Sequence, residues 1–129
     1  MQDRPTYDEL LAAVERFLSQ EIVPNTEGVR RFHARVAANV LGIVRRELER
    51  EEEQLAAEWA GLDGLLEPAK PPEGRAALRE ALGARTAELC ERIRAGEADA
   101  GPFREAVISQ VRRTIRDKLL VSNPRWLGE

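Results

Sequence analysis

Arg35, Asn39, Gly42 and Arg46 follow one another at intervals of four, three and four residues. On a helix that spacing makes one polar stripe. Two guanidiniums with an amide between them suit the edge of an anion pocket, with Arg35 and Arg46 donating and Asn39 orienting the ligand. The commoner use of such a stripe is a flank of salt bridges and interhelical hydrogen bonds. Glu47 is more unusual, because it falls near the middle of an apolar face defined by Phe32, Val36, Val40 and Ile43. A carboxylate buried there needs a cation or takes up a proton. Arg35, Arg46, Arg85 or Lys118 can supply the charge; Arg85 and Lys118 also interrupt otherwise apolar faces. The alternatives are an acid–base residue in a bundle cleft and an interhelical ion pair, and the ion pair is the commoner.

The remaining reactive side chains are isolated. His33, the one histidine, sits close enough in sequence to join a ligand site with Arg35, Asn39, Arg46 and Glu47. No cluster of His, Cys and carboxylates with metal-ligand spacing surrounds it. The paired Glu-x-x-His signature of di-iron bundles does not occur. Cys90 has no partner for a catalytic dyad or an internal disulfide and reads as a small buried hydrophobe. Phosphate-loop, nucleophile-elbow and zinc-protease motifs are missing. The sequence therefore names no catalytic residue, metal ligand or cofactor.

Composition narrows the function classes further. The 129 residues are 43% hydrophobic and 33% charged, with a net charge of −3. That balance disfavours nucleic acid or an anionic membrane as partner. The basic patch of Arg112, Arg113 and Arg116 is small and has acidic neighbours, and DNA binding ranks last. No apolar run approaches the roughly 20 residues that cross a bilayer, and the start at Met1 lacks a signal-peptide pattern. A cytoplasmic protein of one domain, residues 1–129, is expected.

These side chains must be positioned by helices. Thr6 and Glu9 make a capping box that opens the first helix, whose apolar stripe runs from Tyr7 through Leu10, Leu11, Val14, Phe17 and Leu18 to Ile22. Pro24 ends it. The second helix can start at Asn25 or Thr26. Its first half carries Val29, Phe32, Val36, Val40, Ile43 and Val44; its second half carries Leu41, Leu48, Leu55, Trp59, Leu62 and Leu66, rotated by roughly a quarter turn. It reads as one long helix, with residues 51–54 the place where a break would fall. Gly and Pro between residues 61 and 74 mark the one long loop. A third helix runs from about Glu73 to Ala95 on Leu78, Leu82, Leu89 and Ile93. A fourth, capped by Asp99 or Gly101, carries Phe103, Val107, Ile108, Val111, Ile115 and Leu119 until Ser122-Asn123-Pro124 stops it. Trp126 and Leu127 are expected to fold back on the bundle. The fold class is all-α: an antiparallel four-helix bundle with one long second helix.

Two functions follow. Leu41, Leu48, Leu55, Trp59 and Leu62 extend beyond the needs of a compact core, which suggests a non-catalytic bundle that binds itself or another protein through that stripe. The other is a small-molecule protein or enzyme, with an anionic metabolite held near Arg35, Asn39 and Glu47.

Several segments also carry a resemblance: Asp3-Arg4-Pro5-Thr6 with Glu9-Leu10-Leu11, Arg31-Phe32-His33 with Arg35-Val36-Ala37-Ala38-Asn39, Arg46-Glu47-Leu48, and Lys118-Leu119 with Asn123-Pro124-Arg125. The chain resembles, over nearly its whole length, a family of small helical bacterial proteins of unknown function. The genes of that family tend to lie beside those for aminoglycoside-phosphotransferase-like kinases and acyl-CoA dehydrogenases. The resemblance implies a link to acyl-CoA or hydroxy-acid breakdown, with such an enzyme as a partner, and carries over no catalytic residue.

Overall fold

The computed structural model describes residues 3–128; Met1, Gln2 and Glu129 lie outside them. The elements are α1 (Tyr7–Arg16), continued by a π-helical turn (Phe17–Ile22), then α2 (Gly28–Asp63), α3 (Arg75–Arg94), α4 (Gly101–Ser122) and a 3₁₀ turn (Pro124–Leu127). Among the described residues there is no strand. The chain is the all-α bundle with a long second helix that the periodicity predicts, and α2 runs through residues 51–54 without a break.

Local chemistry sets the boundaries. The Glu9 amide donates to Thr6 Oγ1 (3.2 Å) and the Thr6 amide to Glu9 Oε2 (2.7 Å), so the capping box forms as expected. Asn25 and Thr26 serve the helix before them instead of the one after. Asn25 Nδ2 donates to the Glu21 carbonyl and Thr26 Oγ1 to the Ile22 carbonyl, both at 2.7 Å. Those are carbonyls that a helix end leaves without partners. The start of α2 moves accordingly to Gly28, whose φ of +57° turns the chain.

At 36 residues α2 is about 54 Å long and is the element on which the others pack. Its N-terminal half carries α1, which runs antiparallel: Asp8 and Glu15 both reach Arg45, and the Val23 carbonyl accepts from Arg31. Its C-terminal half carries α4, also antiparallel, since Arg46 reaches the Val121 carbonyl and Gln54 the Asp117 carbonyl. Gly61 lets Gln110 cross there, for a Cβ on Gly61 would lie 2.0 Å from Gln110 Oε1. The connection after α2 doubles back along it, with Trp59 Nε1 donating to the Ala69 carbonyl at 3.0 Å. Helix α3 then advances in the same sense as α2: Arg75 and Arg79 meet Glu51, Arg85 meets Asp63, and Arg92 meets the Leu65 carbonyl. The backbones of α3 and α4 stay apart, bridged by side chains such as Arg92, whose guanidinium lies 4.5 Å above the Phe103 ring.

The core lies at this C-terminal end. Trp59, Leu62, Leu65, Leu66, Leu82, Leu89 and Val107 form it, with Leu55, Leu78 and Phe103 packed against them. Two of these, Leu65 and Leu66, lie in the segment expected to be the long loop, Leu66 being also the last residue of the second apolar stripe. The ridge expected on the fourth helix is only partly used: Val107 is buried, while Ile108, Val111 and Ile115 are exposed. Trp126 is 75% exposed and does not fold back as expected, while Leu127 beside it is half-buried.

Leu62→Ala is expected to lower stability by about 3 kcal/mol, since it empties the most buried position of the core; the shift in a urea midpoint measures it. The Arg45 guanidinium holds the Asp8 carboxyl below its ordinary value of 3.8, first through the hydrogen bond. The folded state therefore gains from this contact above the ordinary carboxylate pKa and loses the gain as pH falls through the lowered value. The stability difference between the wild type and Asp8→Asn is expected at pH 7 and should vanish in strong acid, as read by thermal melts across that range.

Candidate functional site

The α1–α2 hairpin has two unlike faces. On the polar face, Glu15 and Asp8 clasp Arg45 at 2.8 and 2.7 Å. Gly42 is buried beside them, and a Cβ there would stand 3.1 Å from Arg46 Nη1 and 3.3 Å from Glu15 Oε1. The glycine in the polar stripe thus marks the close approach of α1 to α2. Arg35, Asn39, Gly42 and Arg46 do line one groove, together with Glu15, Ser19 and the tail from Ser122 to Arg125. Arg35 and Asn39 are exposed there, while Arg46 spends its Nε on the Val121 carbonyl at 2.7 Å.

Glu47 and His33 do not join them. Glu47 lines a different groove of about 360 Å³, floored by Ile43 and Leu55 and walled by Arg79, Lys118 and Val121. Its side chain is 45% exposed, and its partner is Arg79 at 2.6 Å, none of the four cations expected. Of those four, Lys118 lines the same groove and the others sit elsewhere; Arg85, for instance, is buried over the Trp59 ring and bonded to Asp63 at 2.8 Å. Exposed His33 presents its ring edge-on to Phe32, with centroids 5.6 Å apart. The five residues grouped as one ligand site are therefore divided between surfaces, because residues 35, 39, 42 and 46 occupy one side of the helix and 33 and 47 another.

The buried carboxylate is Glu51. Only 8% of its side chain is exposed, and it takes Arg75 at 3.0 Å and a closer contact from Arg79. Glu51 first and Glu47 next hold the Arg79 guanidinium charged, raising its pKa. Sequence reasoning passed over Glu51 within the charged run from Arg45 to Glu53. Its signal was present: it lies three residues after Leu48 and four before Leu55, in the stripe that ends at Trp59 and Leu62. The cluster ties α3 to α2. Among the described residues no group of His, Cys, Asp or Glu converges to hold a metal.

The interface stripe is redistributed as well. Trp59 and Leu62 are core, so neither is a docking surface, while Leu55 packs on the core and lines the groove at Glu47. Leu41 is half-buried and Leu48 is 39% exposed. Besides Ile108, Val111 and Ile115 on α4, apolar surface is left uncovered at the other end of α2. Val29, Phe32, Val36, Val40 and Val44 are 40–70% exposed, and on α1 Tyr7, Leu10, Val14 and Phe17 are 47–59% exposed. Tyr7 and Leu48 line one depression together with Asp8, Glu15, Arg45 and Glu49. Of the apolar stripe along α1 and its π-helical continuation, Leu11, Leu18 and Ile22 are half-buried, while Tyr7, Leu10, Val14 and Phe17 stay exposed.

A family model described as a domain of unknown function, DUF6285, matches residues 24–126. The chain belongs to that family. No curated protein and no solved structure matches it. The DUF6285 match takes in α2, α3, α4 and all but the last residue of the 3₁₀ turn, and α1 lies outside it. Within the DUF6285 domain the ion cluster at Glu51 and the core around Trp59 are one unit, and the exposed half of α2 projects from it.

The two sides of the Glu51 cluster are expected to respond unequally. Replacing Arg75 and Arg79 together by Ala leaves a buried carboxylate without its cations and should cost about 3 kcal/mol. Glu51→Leu, which continues the Leu48–Leu55 stripe and leaves both arginines more than half exposed to water, should be near neutral or stabilising. Urea denaturation of both variants measures the contrast.

Proposed function

We propose that this chain is a non-catalytic accessory bundle that works by binding protein, through the uncovered apolar stripe in the N-terminal half of α2. The observation that carries the reading is that stripe: Val29, Phe32, Val36, Val40 and Val44, exposed along one side of one helix. Contiguous apolar surface of that extent on a folded domain marks a contact site. The chemistry elsewhere supports the same reading, since the charged side chains inside the bundle are spent on holding helices together. The partner is this chain itself or another protein. The family resemblance points to a phosphotransferase-like kinase or an acyl-CoA dehydrogenase, and so to acyl-CoA or hydroxy-acid breakdown in a bacterial cytoplasm. No helix among the described residues is long and apolar enough to cross a membrane, which is compatible with that location.

One observation favours a second reading. The groove that brings Arg35, Asn39, Arg46 and Arg125 together has Glu15 as its acid, and Glu15 is already bonded to Arg45. An anionic metabolite suits that surplus of positive charge. Acyl-CoA thioesters or hydroxy acids that raise the melting temperature of the wild type, but not of Arg35→Ala or Asn39→Ala, would support it.

For the principal reading, a photo-crosslinking residue at Val36 is expected to give a protein adduct in cells of the source organism, and one at Arg104 on α4 to give little. Equal or absent labelling at the two positions would overturn it.

A further inference from the structure

The groove between α1, α2 and the tail is lined by groups that choose among anions. Resting on the reading of this groove as an anion site, we infer that its ligand is the phosphate ester of a small hydroxylated molecule. A monocarboxylate carries too little charge for it, and an acyl chain has no seat in it.

Charge sets the valence. Arg35, Arg46 and Arg125 line the groove, and its one carboxylate is Glu15. Glu15 and Asp8 share Arg45, so the four guanidiniums of this region face two carboxylates and leave a surplus of two positive charges. Among the described residues neither Arg35 nor Arg125 is in an ion pair, and both are exposed. A phosphate monoester carries about 1.5 to 2 negative charges at pH 7, which matches that surplus. A monocarboxylate covers half of it. The planar guanidinium fork also bonds phosphate oxygens two at a time.

Hydroxyl groups are the second thing the lining asks for. Ser19 Oγ donates to the Glu15 carbonyl and Ser122 Oγ to the Lys118 carbonyl, both at 2.8 Å. Each serine proton is spent, and each oxygen remains an acceptor. A ligand hydroxyl satisfies such an oxygen; a phosphate dianion has no proton to give it. The Asn39 and Asn123 amides also line the groove and have no side-chain partner among the described residues, so they can both donate to and accept from hydroxyls. Apolar side chains there are only Val23, Ala38 and Pro124, which rules out a site for an acyl chain.

The position fits a ligand site as well. One wall is the π-helical turn Phe17–Ile22, which carries Ser19, and π-helical turns recur at functional sites. The volume is about 720 Å³, within the range of small-molecule pockets.

Isothermal titration of the purified full chain with glycerol phosphate tests this. Binding is expected, and Arg35→Ala and Arg125→Ala should each weaken it by about tenfold or more, with unchanged helical circular dichroism because both side chains are exposed. Ser19→Ala should weaken glycerol phosphate and leave inorganic phosphate as it was. Hydroxybutyrate is expected not to bind, and butyryl-CoA to bind no tighter than free CoA. Hydroxybutyrate as tight as glycerol phosphate, or butyryl-CoA well above free CoA, with either lost in Arg35→Ala, overturns the inference and leaves the anion site standing. So does inorganic phosphate that binds as well as the ester. Glycerol phosphate that binds both arginine variants as it binds the wild type is an adventitious ion only, and the inference falls. If none of these compounds binds in a way that depends on Arg35, the anion site falls with it.

Discussion

A helix of 36 residues is longer than any neighbour this chain can set against it. That single constraint organises the molecule. The last half of α2 is covered by α3, α4 and the returning segment after Asp63, which together make the core. The first half has only α1, and one helix beside another leaves a flank of each in water. The distribution of buried and exposed apolar residues follows from this mismatch of lengths more than from any difference in side-chain chemistry between the two halves.

Charge holds the covered half in place. Glu51 sits in the apolar stripe of α2 and draws Arg75 and Arg79 from the start of α3, while Arg85 and Arg92 clasp the end of α2 and the segment beyond it. The arginines reach across because their stems lie along apolar surface and their heads find carboxylates or carbonyls. Arg85 over Trp59 and Arg92 over Phe103 extend the core with cation–π contacts where its own aromatics are few. Of the cations singled out in the sequence, Arg85 thus serves as part of this fastening, beside Glu51, Arg75 and Arg79.

Much of this was legible in the chain. The capping box at Thr6, the long helix, the breaks near Pro24, Gly96 and Pro124 and the all-α class all follow from spacing and turn residues. Local rules also explain the misplaced details. Asn25 and Thr26 satisfy carbonyls behind them as readily as amides ahead, and the choice depends on the path of the connection. Glu51 was hidden because a charged residue in a charged run reads as surface, although its register with Leu48 and Leu55 placed it in the stripe. The grouping of Glu47 with Arg35 and Arg46 failed because nearness in sequence outran the helical angle between them.

By itself the sequence determined the helices, their apolar stripes and the presence of two such stripes on α2, because helical periodicity and capping act over a few residues. Which stripe is covered was decided only by tertiary structure. The return of the segment from Gly64 to Gly74 along α2, fixed by contacts such as Trp59 with Ala69, brings α3 down beside Glu51 and seals Trp59 and Leu62. Burial is a property of where distant elements land, so two stripes of equal apolar strength ended with opposite fates.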